Sequence, residues 1–188
     1  VGGTASFSAA SAANIILDQS NDITGAVTIG DGAVDLMNVS FVNNGPIRLH
    51  TSAATGGDLF INTLTPGKVD GIFNITSSAG SITQTQALDI GGSATFTTNA
   101  DNTAITLNSM NAIDGVVSFV TDITVNTANT EDVAYTGTGS SGVILGGSTN
   151  TGTLAIISTA DDITQSAAGL NVGGTASFSA ASAANIIL

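Results

Sequence analysis

The chain carries the same seventeen-residue phrase twice. "VGGTASFSAASAANIIL" occupies Val1 to Leu17 and returns unchanged at Val172 to Leu188. An identity of this length does not arise by chance, and self-similarity at a fixed spacing is the signature of a repeat architecture. The sequence therefore predicts a tandem array whose repeating unit is 1–171, with the second copy of the phrase as the start of the next unit.

A weaker repeat divides this unit. "VGGTASFSAA" at the start of the chain resembles "IGGSATFTTN" at 90–99, with the Gly-Gly pair, Ala and Phe in the same places. The two parts also close with similar phrases, "SSAGSITQTQALDIGG" and "STADDITQSAAGLNVGG". We therefore predict one continuous solenoid with a sub-repeat at 1–89, a second at 90–171 and the start of the next copy at 172–188.

Short strand-like segments recur about every ten residues along the unit. Segments such as "AITL" at 104–107, "VSFV" at 117–120 and "DITV" at 122–125 alternate apolar with small polar residues. This period of two places alternate side chains on opposite faces of a strand. Gly, Asn, Asp and Ser lie between the segments and supply turns. With no convincing amphipathic helix, the pattern predicts an all-β chain.

A solenoid explains these short strands better than a sandwich or a barrel, because only a solenoid gains stability from each added repeat. Only 4% of the residues are aromatic, and the small apolar residues that dominate suit a thin core. We expect a parallel β-helix with roughly 20 residues per turn. One unit would then hold about eight or nine turns and extend the rod by roughly 40 Å at ~4.8 Å per strand.

Certain polar and glycine residues are predicted to shape the turns. When 15–29 is aligned with 105–119, Asn21 corresponds to Asn111 and Gly25 corresponds to Gly115. Stacked Asn amides can form ladders between coils, and glycine relieves tight corners. The same structural role is predicted for the three Gly-Gly pairs, Gly2, Gly3, Gly91, Gly92, Gly173 and Gly174.

The charge of the chain argues against several partners. Two basic residues, Arg48 and Lys68, stand against fourteen acidic ones, for a net charge of −12. Nucleic acids and anionic membrane surfaces both require Lys and Arg, so neither is an expected partner. The chain has no Cys, which leaves no disulfide or thiolate metal site. No apolar run approaches the ~18 residues of a membrane helix, and we expect no membrane insertion.

Candidate catalytic and metal-binding residues are few. His50 is the only histidine, so we expect it to lie on the surface without a catalytic or metal role. The acidic residues Asp161–Asp162 and Asp18 with Asp22 are expected to shape turns, and weak surface Ca²⁺ contacts are the alternative. Polysaccharide-cleaving β-helices need clustered carboxylates, basic residues and aromatic platforms. We therefore predict no catalytic, cofactor-binding or metal site, and no enzyme activity.

Three phrases resemble a known class of repeats. "GSITQTQALDIGGSATFT", "AITLNSMNAIDGVVSF" and "DDITQSAAGLNVGGTASFSA" are similar to the repeats of filamentous-haemagglutinin-type large exoproteins, the adhesins that Gram-negative bacteria export by two-partner secretion. The resemblance covers nearly the whole chain and is strongest at 75–119 and 151–188. It implies a right-handed β-helical shaft, export through an outer-membrane secretion partner, and a place outside the cell or on its surface.

The leading functional expectation is structural. We expect a repeat segment of a long fibre or adhesin shaft that acts in adhesion, cell–cell contact or extracellular matrix. Its partners would be adjacent repeats along the axis, neighbouring shafts in lateral bundles, and a surface receptor or polysaccharide. The alternative is a β-helix that recognises a glycan or ice on one face. Outward side chains that repeat in register from turn to turn would favour this alternative.

Overall fold

The computed structural model describes residues 2–50, 58–63, 65, 67–121, 131–166 and 168–188. These residues form 21 β-strands and no helix, and the all-β prediction is confirmed. Every strand pairing among them is parallel. The predicted strand at 122–125 lies outside the described residues.

Two long sheets run side by side along the molecule. Sheet A contains, in spatial order, β1 (Ala5–Phe7), β3 (Val27–Ile29), β6 (Asp58–Ile61), β5 (Ile47–His50), β9 (Ile82–Gln84), β12 (Ile105–Ile113), β14 (Val133–Gly137), β17 (Leu154–Ser158) and β20 (Ala176–Ser179). Sheet B contains β2 (Asn14–Asn21), β4 (Asn38–Asn43), β8 (Phe73–Ser77), β11 (Ala94–Thr98), β13 (Val116–Val120), β15 (Val143–Leu145), β18 (Ile163–Gln165) and β21 (Ile186–Ile187).

Four short strands add further rows beside these sheets. They are β7 (Lys68–Val69), β10 (Asp89–Ile90), β16 (Ser148–Asn150) and β19 (Leu170–Val172). β7 pairs with β10, which pairs with the end of β12, while β16 joins β13 to β19. The row through β7 and β10 aligns the buried residues Val69, Ile90 and Ile113 across three turns.

The chain alternates between the two long sheets and climbs by one turn each time, which makes it a parallel β-helix. Ala5 lies opposite Val27 of the following turn, and Val143 lies opposite Ile163 of the turn that follows it. The separations between these partners along the chain confirm the predicted length of one turn. We call one turn a rung, meaning one strand of sheet A with the strand of sheet B that follows it.

Sheet B contains fewer turns per unit than the expected eight or nine. β2 and β21 contain equivalent residues of the identical phrases, and seven strand steps separate them in sheet B. One unit therefore adds seven rungs, or about 34 Å at ~4.8 Å per strand. The expectation of eight or nine fails because two turns are long, with Val39 paired to Phe73 and Val117 to Leu145. The first of them contains β5, which gives sheet A one additional strand between β6 and β9.

The core is a single apolar column between the sheets. Strands alternate buried and partly exposed residues, as in β8 and β11, because successive side chains point to opposite faces. An aromatic row runs through this core. Phe73, Phe96, Phe119 and Tyr135 follow one another with ring centroids 6.0, 6.1 and 5.4 Å apart. The narrow coil therefore accepts aromatic rings where they pack against rings of neighbouring rungs.

Candidate functional site

Polar side chains at the start of sheet strands bind the next rung. Asn38 Oδ1 accepts a hydrogen bond from the backbone N–H of Ile72 at 2.6 Å, and Asp162 Oδ1 accepts one from the backbone N–H of Asn185 at 2.6 Å. The same arrangement recurs at Ser81 with Ala104, Ser93 with Val116 and Asp132 with Thr153. In all five cases the acceptor belongs to the earlier rung, so these bonds align successive rungs.

The two predicted Asn positions have the same geometry in both sub-repeats. Asn21 and Asn111 lie within β2 and β12, not in turns, where the strand register shifts by a bulge. Asn21 Nδ2 donates to Leu17 O at 3.1 Å, and Asn111 Nδ2 donates to Leu107 O at 3.1 Å. Each amide also donates to a backbone oxygen of the following rung. Strand pairing is present on both sides of each register shift, so a strand stands where a turn was expected.

Asn111 is the more deeply held of the two, since it is fully buried whereas Asn21 is partly exposed. Its Oδ1 accepts from Leu88 N at 3.0 Å and from Gln84 Nε2 at 2.6 Å. Its Nδ2 also donates to Gln84 Oε1 at 3.0 Å. Gln84 was not singled out from the sequence, although its phrase "SITQ" returns as "DITQ" at Asp162–Gln165.

Most of the predicted glycines lie where the backbones of neighbouring rungs approach closely. A Cβ on Gly25 would lie 2.2 Å from Gly3 O, and a Cβ on Gly115 would lie 2.6 Å from Gly92 C. Gly92 N also donates to Gly71 O at 3.1 Å. The other members of the Gly-Gly pairs behave alike where an earlier rung lies beneath them, at Gly91, Gly173 and Gly174, whereas Gly2 and Gly3 have open space.

A column of buried polar side chains follows the ends of the sheet B strands. Asn43, Ser77 and Thr98 are aligned in successive strands, and Thr121 and Asn150 lie at the corresponding place further along. All five are at most 6% exposed. Among the described residues, Thr98 Oγ1, Thr121 Oγ1 and Asn150 Oδ1 have no hydrogen-bond partner. Burial of such groups is costly, and sequence reasoning missed the column because these residues resemble ordinary turn residues.

Both basic residues of the chain form ion pairs. Arg48 binds the buried Asp58 across β5 and β6, and this hydrogen bond raises the pKa of Arg48. Lys68 Nζ lies 3.0 Å from Asp70 Oδ1 and 3.6 Å from Asp35 Oδ2. The hydrogen bond with Asp70 is the main cause that raises the pKa of Lys68. Both positively charged side chains are thus paired with carboxylates of the same chain.

The remaining candidate residues are dispersed. His50 ends β5 and is partly exposed. Asp18 and Asp22 are exposed, and Asp161 Oδ1 accepts from Asp162 N at 2.9 Å. In the described ranges no three acidic or histidine side chains converge to hold a metal ion. Within the same ranges no helix has the length and apolar character to cross a membrane.

The outward side of sheet B carries two aligned rows of mostly polar side chains. One row passes through Ser40, Asn74, Thr95 and Ser118, and the second through Val42, Thr76, Thr97 and Val120. Each member is partly exposed, and the residues between them are buried. The rows lie in register over four rungs, but only the central two rungs carry Thr in the second row.

The strand pairing and the contacts between rungs together define the protein as a parallel β-helix built from repeats. The chain belongs to the family described as "Repeats of unknown function (DUF5649)", whose model matches residues 1–30, 36–120 and 130–188. Comparisons with curated proteins and with solved structures gave no match.

Proposed function

We propose that this chain is a structural repeat segment of a long bacterial fibre or adhesin shaft, with a mechanical and not a catalytic role. One observation carries the proposal. The two copies of the seventeen-residue phrase form equivalent strands, β1 with β2 and β20 with β21, at the two ends of the same pair of sheets. A unit that ends in the conformation in which it began can be repeated without a change of fold.

The shaft proposal is supported by how the rungs are held together. Parallel backbone pairing continues through both sheets, and Asn38 and Asp162 each accept a hydrogen bond from the following rung. In a solenoid each repeat contacts only its neighbours, so added repeats lengthen the rod. Such a rod spaces or displays whatever lies at its far end.

Lateral bundling is the second part of the proposal. Sheet B presents Ser, Thr, Asn and Val outward over four rungs, with no charged residue in either row. Neutral faces of this kind can approach one another with little desolvation of charge. Electron microscopy of tandem arrays would reveal side-by-side pairs or bundles, and only isolated, dispersed shafts would count against this part.

Arrays of one, two and four copies of the unit 1–171 test the shaft itself. Negative-stain microscopy should give rods that lengthen by about 34 Å for each unit. Particles whose longest dimension stays constant as units are added would contradict a shaft. Circular dichroism on the same samples should show β-structure that scales with the number of units.

Location and export are proposed from the resemblance to filamentous-haemagglutinin-type exoproteins. On this proposal the shaft lies on the surface of a Gram-negative cell or outside it. Antibodies against the repeat should label intact producing cells, and external protease should remove the label. Loss of an outer-membrane secretion partner should abolish both signals. Label seen only after the cells are permeabilised would contradict surface location.

A ligand-recognising β-helix is the second candidate, favoured by the aligned rows on sheet B. Thr95 and Thr97 lie at the centre of these rows, with Thr76 beside Thr97. Glycan-array binding or ice affinity that is lost in Thr95→Val and Thr97→Val would support this candidate. Thr106→Val, on the outward side of sheet A, is the matched control. Absence of any glycan or ice binding by the unmodified chain would contradict this candidate.

A further inference from the structure

The buried polar column at the ends of the sheet B strands begins with side chains that bind the backbone of the preceding rung. Asn43 Oδ1 accepts a hydrogen bond from Ile23 N at 2.9 Å, and Asn43 Nδ2 donates to Ile23 O at 3.2 Å. Ser77 Oγ donates to Gly45 O at 2.6 Å. Ile23 and Gly45 both lie in the turn that follows a sheet B strand. The first two members of the column are therefore satisfied by protein groups.

The next three members each have one oxygen without a protein partner. Within the part of the chain that the structure describes, no hydrogen bond reaches Thr98 Oγ1, Thr121 Oγ1 or Asn150 Oδ1. The three residues are at most 2% exposed. They occupy successive positions of the column, because the residues that precede them are paired in register. Buried polar groups are almost always bonded to protein or to ordered water, so three adjacent exceptions mark a single site.

We propose that ordered water binds inside the coil at this site, with one molecule between Thr98 and Thr121 and a second between Thr121 and Asn150. Neighbouring strands lie ~4.8 Å apart, which is too far for a direct hydrogen bond between two side-chain oxygens. A water that bonds at ~2.8 Å on each side spans this separation. Each molecule then has two protein partners in the column, the least that a buried water requires.

The chemistry of the three oxygens sets the direction of the hydrogen bonds. Asn150 Oδ1 is an amide oxygen and only accepts, while its Nδ2 donates to Gly152 O at 2.9 Å. The second water therefore donates to Asn150 and accepts from the hydroxyl of Thr121. Thr121 Oγ1 accepts in turn from the first water, which accepts from the hydroxyl of Thr98. Both hydroxyls donate once, and hydrogen bonds aligned in one sense strengthen one another.

Thr121→Val tests the proposal in the full chain, because Val has the shape of Thr without the hydroxyl. With water bound, the change removes a partner from both molecules and should lower Tm by about 2–4 °C. In a dry site the same change removes a costly unpaired group and leaves Tm unchanged or raises it, which would overturn the proposal. Thr97→Val, at a partly exposed position of β11, is the matched control and should leave Tm unchanged.

A second variant tests whether the two hydroxyls share one water. Thr98→Val should lower Tm in the unmodified chain, but by less than about 1 °C in the Thr121→Val chain, since groups that share a partner are not additive. Equal losses in the two backgrounds would overturn the shared molecule. Far-UV circular dichroism checks that every variant keeps its β-structure.

A crystal structure at a resolution that reveals water gives the direct test. We expect one density peak within about 3 Å of both threonine hydroxyls and a second within about 3 Å of Thr121 Oγ1 and Asn150 Oδ1. Both peaks should be absent in Thr121→Val. A direct contact between the hydroxyls, or apolar side chains that fill the space between the rungs, would overturn the proposal. None of these outcomes affects the length of covalent arrays, which tests the shaft separately.

Discussion

Asn111 and Gln84 hold each other through two amide hydrogen bonds between neighbouring rungs, with N–O distances of 2.6 and 3.0 Å. Asn111 also bonds the backbone at Leu88, Leu107 and Thr136. Since the residue is fully buried, water cannot replace these partners. The pair therefore connects three rungs at the point where the chain leaves sheet A.

Replacement of Asn111 should be far more damaging than replacement of its equivalent in the first sub-repeat. Asn111→Ala leaves several buried backbone groups without a partner and should lower the free energy of unfolding by about 3 kcal/mol. Asn21→Ala, at a partly exposed position, should lower it by about 1 kcal/mol. Urea denaturation followed by circular dichroism measures both, and equal losses would show that burial does not separate the two sites.

The Gly-Gly pairs provide a control within the same phrase. A Cβ on Gly174 would lie 2.8 Å from Gly152 O, whereas none of the surrounding atoms lies within 4 Å of a Cβ on Gly3. Gly174→Ala should therefore cost about 1–3 kcal/mol through forced backbone movement, and Gly3→Ala should stay within about 0.5 kcal/mol. Thermal unfolding compares the two variants. A tolerated Gly174→Ala would mean that the rungs can separate there without cost.

The aromatic row should be a major source of stability. Phe96 is fully buried and its ring lies between those of Phe73 and Phe119. Phe96→Ala should lower the free energy of unfolding by about 3–5 kcal/mol, because the cavity cannot collapse completely. Phe60→Ala, which removes a partly exposed ring from β6, should cost about 1 kcal/mol. Similar losses for the two would argue against a packed aromatic core.

Alkaline pH should destabilise the coil through its single tyrosine. Burial raises the pKa of Tyr135 well above its usual value, so the native phenol keeps its proton where the unfolded chain loses it, above about pH 10. The unfolded state then binds fewer protons, and stability falls as pH rises through this range. Tyr135→Phe should reduce this fall.

Absorbance at 295 nm measures the ionisation directly, because the chain contains only one Tyr and no Trp. The absorbance of the unmodified chain should rise together with the loss of its circular dichroism signal. Ionisation near pH 10 with the fold intact would show that Tyr135 is accessible to solvent.

Much of the fold was predictable because it is periodic. The equivalence of Asn21 with Asn111 and of Gly25 with Gly115 came from the aligned phrases alone, and the alternation in segments such as "VSFV" identified strands β4 and β13. The parallel β-helix followed from the short strands and the repeat. These features depend on local pattern, which a sequence displays directly.

Other features depend on which strands pair with each other and in what register, and the sequence does not display either. The segment at Ile47–His50 reads as a strand, but nothing in it says that β6 will insert between β3 and β5. Likewise Phe73, Phe96 and Phe119 occupy buried positions of their own strands, but the contact between their rings depends on the register between strands. Asn43 and Ser77 resemble turn residues because small polar side chains favour turns.

Hydrogen bonds from side chains to the backbone join neighbouring rungs in both directions along the coil. Asp162, on an earlier rung, accepts a hydrogen bond from the N–H of Asn185. Asn43, on a later rung, accepts one from the N–H of Ile23. An inner rung is thus hydrogen-bonded by both of its neighbours, and an outermost rung by only one. Unfolding should therefore begin at the two ends of an array. The central rungs of a long array should stay folded longer than the same rungs in a short array.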